Sequence, residues 1–591
     1  MGKFFLRFFL VFIFCFFIIT QIFSLPPQKI LHPGDWAYGA LGILSREQGR
    51  VFFGDSRITV AQMETFLTEI DFDSLSESGR TIFYELKDYL ESDFPLAFKS
   101  DALSGGLNLI LQPELYFKTN ESSPWQYNYH ERNALIQIPL GFSLGSFITA
   151  EMDLYFGQNE YAATLHDNYS NIPIEPVRQT DIHFPKRGYV STGLPVGEAS
   201  GVNLAIGIGD NFFGSTETGS IIISDYLERT VYAQMTIYSP ALKYMAQVLQ
   251  YEPNKYHYMH YLQVRPHKRV SLSLAEGVMV NAPLELRFLN PFTIFHSYES
   301  YKTYSDYNKD LGITSNEVSS IDELWDKNPD GTDIYDRTID PNNHSRIGSY
   351  FGVKLELQPI NNFRLYGLFV MDQFNLPMKK DNWLDTLYPD AAGFQAGLEF
   401  SLPSSNGYWE FGLEGVYTYP YLYVMWDKGW SFYKEAPEMD YLTLRYWTGT
   451  PFGPDSIAVT FWAGLRGFKG IRSLPGFNST SQWYAGFAFE FAARGERSDL
   501  SIFDKDNNIN DTYRPSHRVY DVTVPPTGIP VYSYTTSFRF EYQPRKWLSI
   551  ALMPGFRVEQ NSHHEEGRTE QSFELALSLI YRPINQYLAK F

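Results

Sequence analysis

Alternating acidic and amide residues in the second half of the chain have the spacing of a calcium loop. Asp326, Asn328 and Asp330 alternate and precede a glycine, which reproduces the first half of an oxygen-ligand loop with glycine at its sharp turn. We predict that these three side chains and the backbone carbonyl of Thr332 coordinate Ca²⁺. Arg337 stands where the final bidentate glutamate is expected, so a simple turn built from Asp, Asn and Gly is the alternative.

Aromatic residues crowd the same stretch of sequence. Its tyrosines and tryptophan include Tyr298, Tyr301, Tyr304, Tyr307, Trp325 and Tyr335. Aromatic rings suit the C–H faces of sugars, and neighbouring acids and amides suit the sugar hydroxyls. We therefore predict that the first three tyrosines and Trp325 contact a saccharide. The alternative is that these rings only pack a folded loop.

Polar residues also stand just upstream of the aromatic stretch. Arg287, Asn290 and His296 follow a segment, Val270–Ala275, in which apolar and small polar residues alternate. This alternation predicts a strand with Ser271 and its equivalents on the polar face. We predict that Arg287, Asn290 and His296 form a polar patch that binds a ligand together with the aromatic residues.

Two short motifs match catalytic or metal-binding sequence patterns but lie in a structural context that does not suit catalysis. The segment Gly141-Phe-Ser-Leu-Gly145 matches a nucleophile elbow, but it lies between two alternating runs where a hairpin turn is expected. The run His563-His-Glu-Glu566 lies in a predicted loop, and a metal site needs ligands that converge in a defined geometry. No residue is predicted to be catalytic, and we expect a non-enzymatic protein.

Charge and the first residues indicate the compartment. The formal net charge of −19 disfavours nucleic acid as a partner, because phosphate binding requires a basic face. Lys3 and Arg7 precede an apolar run, Phe8–Ile19, which is short for a membrane span but typical of a secretion signal. We predict a signal peptide over residues 1–24, with an uncleaved anchor as the alternative. The only cysteine, Cys15, lies in this leader, so no disulfide or thiolate site is expected after export.

Residues 25–100 have helical periodicity and are predicted to form a small periplasmic helical domain. Apolar residues recur at helical spacing from Trp36 to Leu44, and Thr59 with Gln62 has the spacing of a capping box. A third amphipathic stretch contains residues 83–90. The domain is therefore predicted to contain three short helices.

Part of this domain resembles a single S-layer-homology-type repeat. The resemblance is carried by Asp35-Trp-Ala37, Leu44, Gly49 and Arg57-Ile-Thr-Val-Ala61. It implies binding to cell-wall polymer, with peptidoglycan as the partner. A plain periplasmic cap without a polymer ligand is the alternative.

From Leu107 onward the hydrophobic period changes from 3.6 to 2. Alternating runs include Ala134–Leu140, Val202–Ile208, Val353–Leu357, Phe394–Phe400, Trp483–Phe491 and Phe573–Leu579. Each run has about the length that a tilted strand needs to cross a bilayer, and flanking aromatic residues suit the two membrane interfaces. Residues 101–591 are therefore predicted to be all-β, a transmembrane antiparallel β-barrel of about 18 (16–20) strands.

Short and long connections alternate along this region. Short links include Ser239–Leu242, Pro266–Lys268 and Pro403–Gly407, whereas long extracellular loops are predicted at 158–201, 280–348, 373–393 and 504–531. Outer-membrane barrels have short periplasmic turns and long outer loops. The polar patch is then expected at the external mouth, facing the lumen, because a lipid-facing charge costs about 2–4 kcal/mol at mid-membrane.

Three segments carry a family resemblance. They are His32–Ile70, Gly201-Val-Asn-Leu-Ala-Ile-Gly-Ile-Gly209 with its continuation to Ser224, and Leu286-Arg-Phe-Leu-Asn-Pro-Phe292 leading to His296. They resemble the capsule-assembly Wzi family of outer-membrane proteins, which implies a barrel of about 18 strands that binds surface polysaccharide as a lectin without catalysis. An outer-membrane porin or substrate-specific channel, tethered to the cell wall by its N-terminal domain, is the alternative function. The expected partners are outer-membrane lipids and surface polysaccharide.

Overall fold

The computed structural model describes most of the chain after residue 26. The described residues are 27–31, 35–91, 94–100, 102–121, 123, 133–158, 169–173, 180–197, 199–224, 230–295, 347–373, 391–405, 407–425, 428–439, 442–467, 482–498 and 524–584. Among them, no helix combines the length and the apolar composition needed to cross a bilayer. The predicted loops 280–348, 373–393 and 504–531 lie largely outside the described residues.

A small domain of three helices and a two-stranded sheet precedes the barrel. Its elements are β1 (Ile30–Leu31), α1 (Trp36–Gln48), β2 (Ile58–Thr59), α2 (Val60–Thr68) and α3 (Glu77–Glu91). α1 ends at Gly49, whose φ of 58° is the left-handed conformation that glycine adopts without steric cost. α2 begins with the predicted capping box, in which Thr59 and Gln62 each accept a hydrogen bond from the other's backbone N–H. The predicted capping box is therefore present.

The remaining strands build the barrel. In chain order they are β3 (Leu96–Lys99), β4 (Leu103–Leu107), β5 (Ile110–Leu111), β6 (Glu114–Lys118), β7 (Ile136–Leu144), β8 (Ile148–Gln158), β9 (Thr180–Pro195), β10 (Gly201–Gly209), β11 (Thr230–Tyr238), β12 (Leu242–Glu252), β13 (Lys255–His267), β14 (Val270–Asn281), β15 (Ile347–Leu357), β16 (Phe363–Gln373), β17 (Ala391–Ser404), β18 (Gly407–Thr418), β19 (Tyr433–Met439), β20 (Leu442–Trp447), β21 (Ser456–Gly467), β22 (Gln482–Arg494), β23 (Val531–Arg545), β24 (Leu548–Gln560) and β25 (Thr569–Tyr581). Short 3₁₀ helices lie at Phe72–Ser74, Leu286–Leu289, Glu496–Ser498 and Ser562–His564. β19 and β20 form a separate hairpin outside the barrel sheet.

The barrel is closed and antiparallel, with 18 strands crossing it. One crossing is the interrupted strand β4–β5–β6, which pairs with β7 on one side and, through β5 and β6, with β25 on the other. Closure joins the first and last crossing strands, which is how a sheet satisfies its backbone groups when it spans a bilayer. The predicted all-β barrel of about 18 strands is confirmed.

Side chains alternate between an apolar exterior and a polar interior. On β18, the outward Trp409 and Leu413 are 46% and 42% exposed, whereas the inward Glu414 is 1% exposed. Other exposed outward residues are Phe394, Phe461, Phe538, Phe540, Phe573 and Leu577. An apolar band outside and a polar lumen inside are typical of transmembrane barrels.

The two ends of the barrel differ, and the helical domain occupies one of them. Tight connections join β11 to β12, β13 to β14 and β17 to β18 at what we call the turn end, while the opposite end is the loop end. The Val51 N–H donates to the Lys268 carbonyl (2.8 Å), and the Asn362 N–H donates to the Arg46 carbonyl (2.5 Å). These bonds attach the helical domain to the turn end.

The predicted loop 158–201 is shorter than expected. β9 occupies much of it and pairs with both β8 and β10. Its inward residues include Arg187 and Ser191, and Gly188 and Gly193 interrupt the alternation. This strand was missed because polar lumen-facing residues and glycines weaken the apolar signal on which the prediction depended.

Candidate functional site

The tip of the helical domain, residues 52–58, enters the barrel lumen. Asp55 is 1% exposed, and its carboxylate accepts hydrogen bonds from Gln263 Nε2 (3.0 Å) and Ser273 Oγ (2.9 Å). Lys354 Nζ forms an ion pair with the same carboxylate. These three partners are inward-facing residues of β13, β14 and β15. The domain tip is therefore bonded to the barrel wall away from bulk water.

Arg57 makes a second set of contacts inside the lumen. Its guanidinium lies 3.6 Å from the centroid of the Tyr232 ring and donates to the backbone carbonyl of Asp210. Lys243 Nζ donates to the Arg57 carbonyl (2.9 Å). Cation–π contacts of this kind strengthen when they are desolvated. Arg57 thus extends the docking of the domain tip to β11 and β12.

A chain of ion pairs runs from the domain tip along the barrel wall and back to α1. Lys354 Nζ lies 2.9 Å from Glu356, and Arg364 lies 3.0 Å from Glu356 and 2.8 Å from Glu399. Arg46 on α1 then lies 2.6 Å from Glu399. Signs alternate along the chain, so each buried charge has an opposite neighbour. Removing one member would leave a buried charge uncompensated, which is strongly destabilising.

A second body enters the lumen from the loop end. Residues 210–224, which we call the outer segment, follow β10 and bury Phe213 and Ile221 completely. The Gly214 N–H donates to the Asp55 carbonyl (2.7 Å), and the Ile221 N–H donates to the Gln395 side-chain carbonyl (3.1 Å). The outer segment and the domain tip therefore touch each other inside the barrel.

The loop between β18 and β21, which carries the hairpin β19–β20, covers the outer segment. The Tyr423 hydroxyl donates to the Ile221 carbonyl, and the Ser224 N–H donates to the Thr448 carbonyl (2.9 Å). The Phe432 ring packs edge-on against Tyr350, with ring centroids 5.1 Å apart. The part of the lumen beside β10–β18 is thus filled, within the described residues, from the turn end to the loop end.

The opposite wall of the lumen carries accessible guanidinium groups. Arg466, Arg494, Arg539 and Arg557 face inward on β21, β22, β23 and β24. The Arg539 side chain is 57% exposed and the Arg494 side chain 33% exposed. Acidic residues on the same wall, Glu541 and Glu559, pair with some of them. We call this wall the open side of the lumen. Guanidinium groups bind carboxylates and other planar anions in bidentate geometry.

Glu217 of the outer segment has an unusual electrostatic environment. Enclosure within the lumen raises its pKa to about 8, and the nearby carboxylates of Glu399, Glu414 and Glu410 add to this effect. The Glu217 N–H donates to Glu414 (3.0 Å). The Glu217 carboxyl group is therefore harder to ionise than that of a free glutamate.

The structure corrects the predicted position of Arg287 and Asn290. They lie on the outer wall of the barrel, where the neighbouring Phe288 ring stacks on the outward-facing Tyr258 with centroids 5.0 Å apart. Arg287 pairs with Glu285 at 2.5 Å. The expectation that they line the lumen at the barrel mouth is wrong.

The physical reason lies at the end of β14. Its pairing is continuous through Gly277 on both sides, so no bulge redirects the chain towards the lumen. After Asn281 the chain turns outward, where Phe288 and Phe295 bury their rings against Val278 and other outward residues. Apolar packing on the outer wall therefore determines the position of the polar residues beside these rings.

The other predicted site residues lie outside the described part of the chain. They are His296, Tyr298, Tyr301, Tyr304 and Trp325 of the saccharide site, and Asp326, Asn328, Asp330 and Thr332 of the calcium site. Within the described residues, no group of three or more His, Cys, Asp or Glu side chains is placed to hold a metal ion. Calcium binding at Asp326–Thr332 stays a prediction.

Sequence reasoning missed the residues that join the domain to the barrel. Lys354 and Glu356 alternate with the apolar Val353 and Leu355, so their inward direction was available from the period of 2. The period-2 alternation does not indicate the residue with which Lys354 forms its ion pair. Asp55 lies in a short connection between α1 and α2, and nothing in its local sequence indicates insertion into a barrel.

Comparisons with family models and with curated proteins find no match. They therefore give no support to the resemblance to an S-layer-homology repeat.

Comparison with solved structures finds outer-membrane barrels. The chain is similar to Wzi, an outer-membrane protein involved in group 1 capsule assembly in Escherichia coli and described as a carbohydrate-binding β-barrel, with a TM-score of 0.51, 9% identity, and coverage of 93% of this chain and 99% of that chain. It also matches the outer-membrane channel DcaP of Acinetobacter baumannii, with a TM-score of 0.33, 7% identity, and coverage of 82% of this chain and 99% of that chain. The outer-membrane protein OpdK of Pseudomonas aeruginosa matches with a TM-score of 0.37, 9% identity, and coverage of 82% of this chain and 99% of that chain.

The closed barrel and its similarity in fold to Wzi define a class of protein. The chain is a bacterial outer-membrane β-barrel, and it is located in the outer membrane. Because such barrels have short turns on the periplasmic side, we expect the turn end to face the periplasm and the loop end to face the cell exterior; the periplasmic position of the helical domain stays a prediction.

Proposed function

We propose that the protein binds surface polysaccharide at the extracellular face of the outer membrane without catalysing a reaction. The observation that carries this proposal is the meeting of two bodies inside the lumen, where Asp55 of the domain tip bonds to Gly214 of the outer segment. A wide barrel conducts when its lumen is free, and these two segments fill the part of the lumen beside β10–β18. The similarity in fold to a barrel described as carbohydrate-binding supports the same conclusion.

The open side of the lumen supports an acidic polysaccharide as the ligand. Arg494 and Arg557 lie close to the extracellular ends of β22 and β24, and Arg539 lies deeper on β23. In a chain with a net charge of −19, a cationic surface is needed to approach an anionic polymer. Guanidinium groups supply it and match the geometry of sugar carboxylates.

Binding to purified protein tests this proposal. Affinity for an acidic bacterial polysaccharide is measured by surface plasmon resonance, with a neutral polysaccharide of similar length as comparison. Arg494→Ala and Arg539→Ala are expected to weaken acidic-polymer binding. Arg545→Ala, an exposed arginine at the periplasmic end of the same strand as Arg539, is the matched control. Equal affinity for all three variants would refute the assignment of the open side.

A porin or substrate-specific channel is the second candidate function. It is favoured by the exposure of Arg539 and Glu541, whose side chains are 57% and 37% exposed inside the lumen. Charged, accessible lumen residues are typical of selective channels. Conductance across a planar bilayer separates the two functions, because a large, steady conductance of the purified protein supports transport and a closed trace supports binding.

A further inference from the structure

The chain leaves β14 along the outside of the barrel. Residues 282–295, which we call the lateral segment, pack on outward-facing rings of β12 and β13. Phe295 stacks on His260 with centroids 4.1 Å apart and an interplanar angle of 25°. Phe292 lies 6.1 Å from Tyr244 in a stacked arrangement (12°). The lateral segment is therefore held against the surface that faces the membrane.

Strand register gives the depth that this segment reaches. Tyr244 pairs with Leu262, and Lys255 is the first residue of β13 at the extracellular end. The seven steps from Lys255 to Leu262 correspond to about 23 Å along the strand. With a strand tilt of about 35–45°, this is roughly 16–19 Å of depth in an apolar band about 25 Å tall. The Phe292 contact therefore lies well inside the hydrocarbon layer.

The composition of the lateral segment follows the same depth profile. Its exposed apolar side chains are Leu284 (50%), Leu286 (81%), Leu289 (41%), Phe292 (77%) and Ile294 (67%). Its only charged residues, Glu285 and Arg287, pair with each other beside Phe288 near the extracellular end. No charged residue follows as far as Phe295. Charge near the headgroups and apolar residues below them match a bilayer.

The backbone at the deepest turn satisfies most of its hydrogen-bonding groups internally. Pro291 has no N–H, and its carbonyl accepts from the Tyr244 hydroxyl. The Phe292 N–H donates to the Asn290 side-chain oxygen (3.2 Å), and the Thr293 N–H donates to the Asn290 carbonyl (3.2 Å). Irregular backbone is tolerated at membrane depth only when its polar groups have partners, because lipid offers none.

We propose that the lateral segment is immersed in the outer membrane and that its exposed side chains bind the acyl chains of lipids beside β12–β14. The outward surface of these strands is already lipid-facing, and the segment continues it. The segment also covers His260, which pairs across the ladder with the outward-facing Glu276. A second copy of the chain is the other possible occupant of this face. It is disfavoured because the turn supplies its own hydrogen bonds and confines its charges to the headgroup level.

Quenching of a fluorescent label by lipid tests this proposal. In full-length protein with Cys15→Ser, a single Ile294→Cys substitution is labelled with an environment-sensitive fluorophore and reconstituted in vesicles with brominated acyl chains. Phe394→Cys, on the outward face of β17, is the lipid-exposed control, and Ser537→Cys, on the inward face of β23, is the lumen control. Phe292→Cys gives a second position on the segment. Heat-dependent migration on gels checks the fold of each variant.

The proposal predicts that labels at positions 292 and 294 lose fluorescence to brominated lipid to the same extent as the label at 394. Aqueous iodide is expected to quench only the label at 537. Quenching at 292 and 294 by iodide instead of lipid would place the segment in water and overturn the proposal. Protection from both quenchers, together with a dimer in sedimentation analysis, would overturn it in favour of a second copy.

Discussion

Removing the Asp55 carboxylate should release the helical domain from the barrel while the barrel stays folded. Asp55→Ala deletes the ion pair with Lys354 and the hydrogen bonds from Gln263 and Ser273. Lys354 keeps Glu356 at 2.9 Å, but Glu356 already neutralises Arg364. Loss of one partner from a buried pair costs about 3–5 kcal/mol. Opening of the domain tip should therefore become roughly 10²- to 10⁴-fold more frequent.

Hydrogen exchange of the full-length protein in detergent measures this opening. The expected result is faster exchange in residues 52–58 and in the outer segment, since the Gly214 N–H depends on the Asp55 carbonyl for its bond. Exchange in β21–β25 should not change. Asp73→Ala is the matched control, because Asp73 is an exposed aspartate of the same domain.

A second substitution separates charge from structure. In Asp55→Ala with Lys354→Met, no uncompensated cation remains, and replacing a buried pair by apolar groups is often close to neutral. In the double variant, the free energy of opening of residues 52–58 should recover more than half of the amount that Asp55→Ala removes. The reasoning is refuted if Asp55→Ala and Asp73→Ala exchange at the same rate, or if the double variant opens more than the single one.

Three further predictions follow from the same contacts. Arg46→Gln removes the pair with Glu399 (2.6 Å) and the bond to Ser401 (2.6 Å), so exchange in α1 should accelerate, whereas the exposed Arg80→Gln in the same domain should leave it unchanged. Because Glu217 has its pKa raised from an ordinary 4.5 to about 8, the folded outer segment binds more protons than the open one, and its docking weakens as pH rises from 4.5 to 8. Chymotrypsin cleavage at Phe212 and Phe213, normalised at each pH to cleavage of a short peptide substrate, should then be faster at pH 9 than at pH 6. Glu217→Gln should remove that normalised difference. For the calcium site, Asp330→Ala should abolish the binding heat of Ca²⁺ in titration calorimetry, and an unchanged heat would contradict the predicted ligand set.

Most of the barrel could be predicted from the sequence because each strand carries its own signal. Runs such as Phe394–Phe400 and Phe573–Leu579 alternate with a period of 2, and membrane-spanning strands must be apolar on one face throughout. β9 shows where this signal is weak. Its inner face contacts the helical domain, with Tyr189 bonded to Ile30 and Glu151. Contact with the helical domain therefore determines the residue types of β9 more than contact with lipid does.

The candidate site could be predicted only in part, because it is built from contacts distant in sequence. Because charge avoids lipid, the sequence predicts a position inside the lumen for Arg287 and Asn290. In the structure Arg287 instead lies on the outer wall, where its charge is paired with Glu285 at 2.5 Å. The pairing of Asp55 with Lys354 spans 299 residues, and no local pattern encodes it.

The alternation that builds the barrel also explains why the helical domain is held by charges. A strand with an apolar outer face must present its other residues to the lumen, and on β15 and β16 these include Lys354, Glu356 and Arg364. A domain that enters such a lumen meets polar groups at positions determined by strand register, so complementary charges recognise the wall better than an apolar face would. Buried ion pairs contribute little net stability compared with apolar packing. Their alternating signs instead favour one position, in which Asp55 lies against Lys354 and Arg46 lies against Glu399. Specificity of docking is therefore the property that this chain of ion pairs supplies.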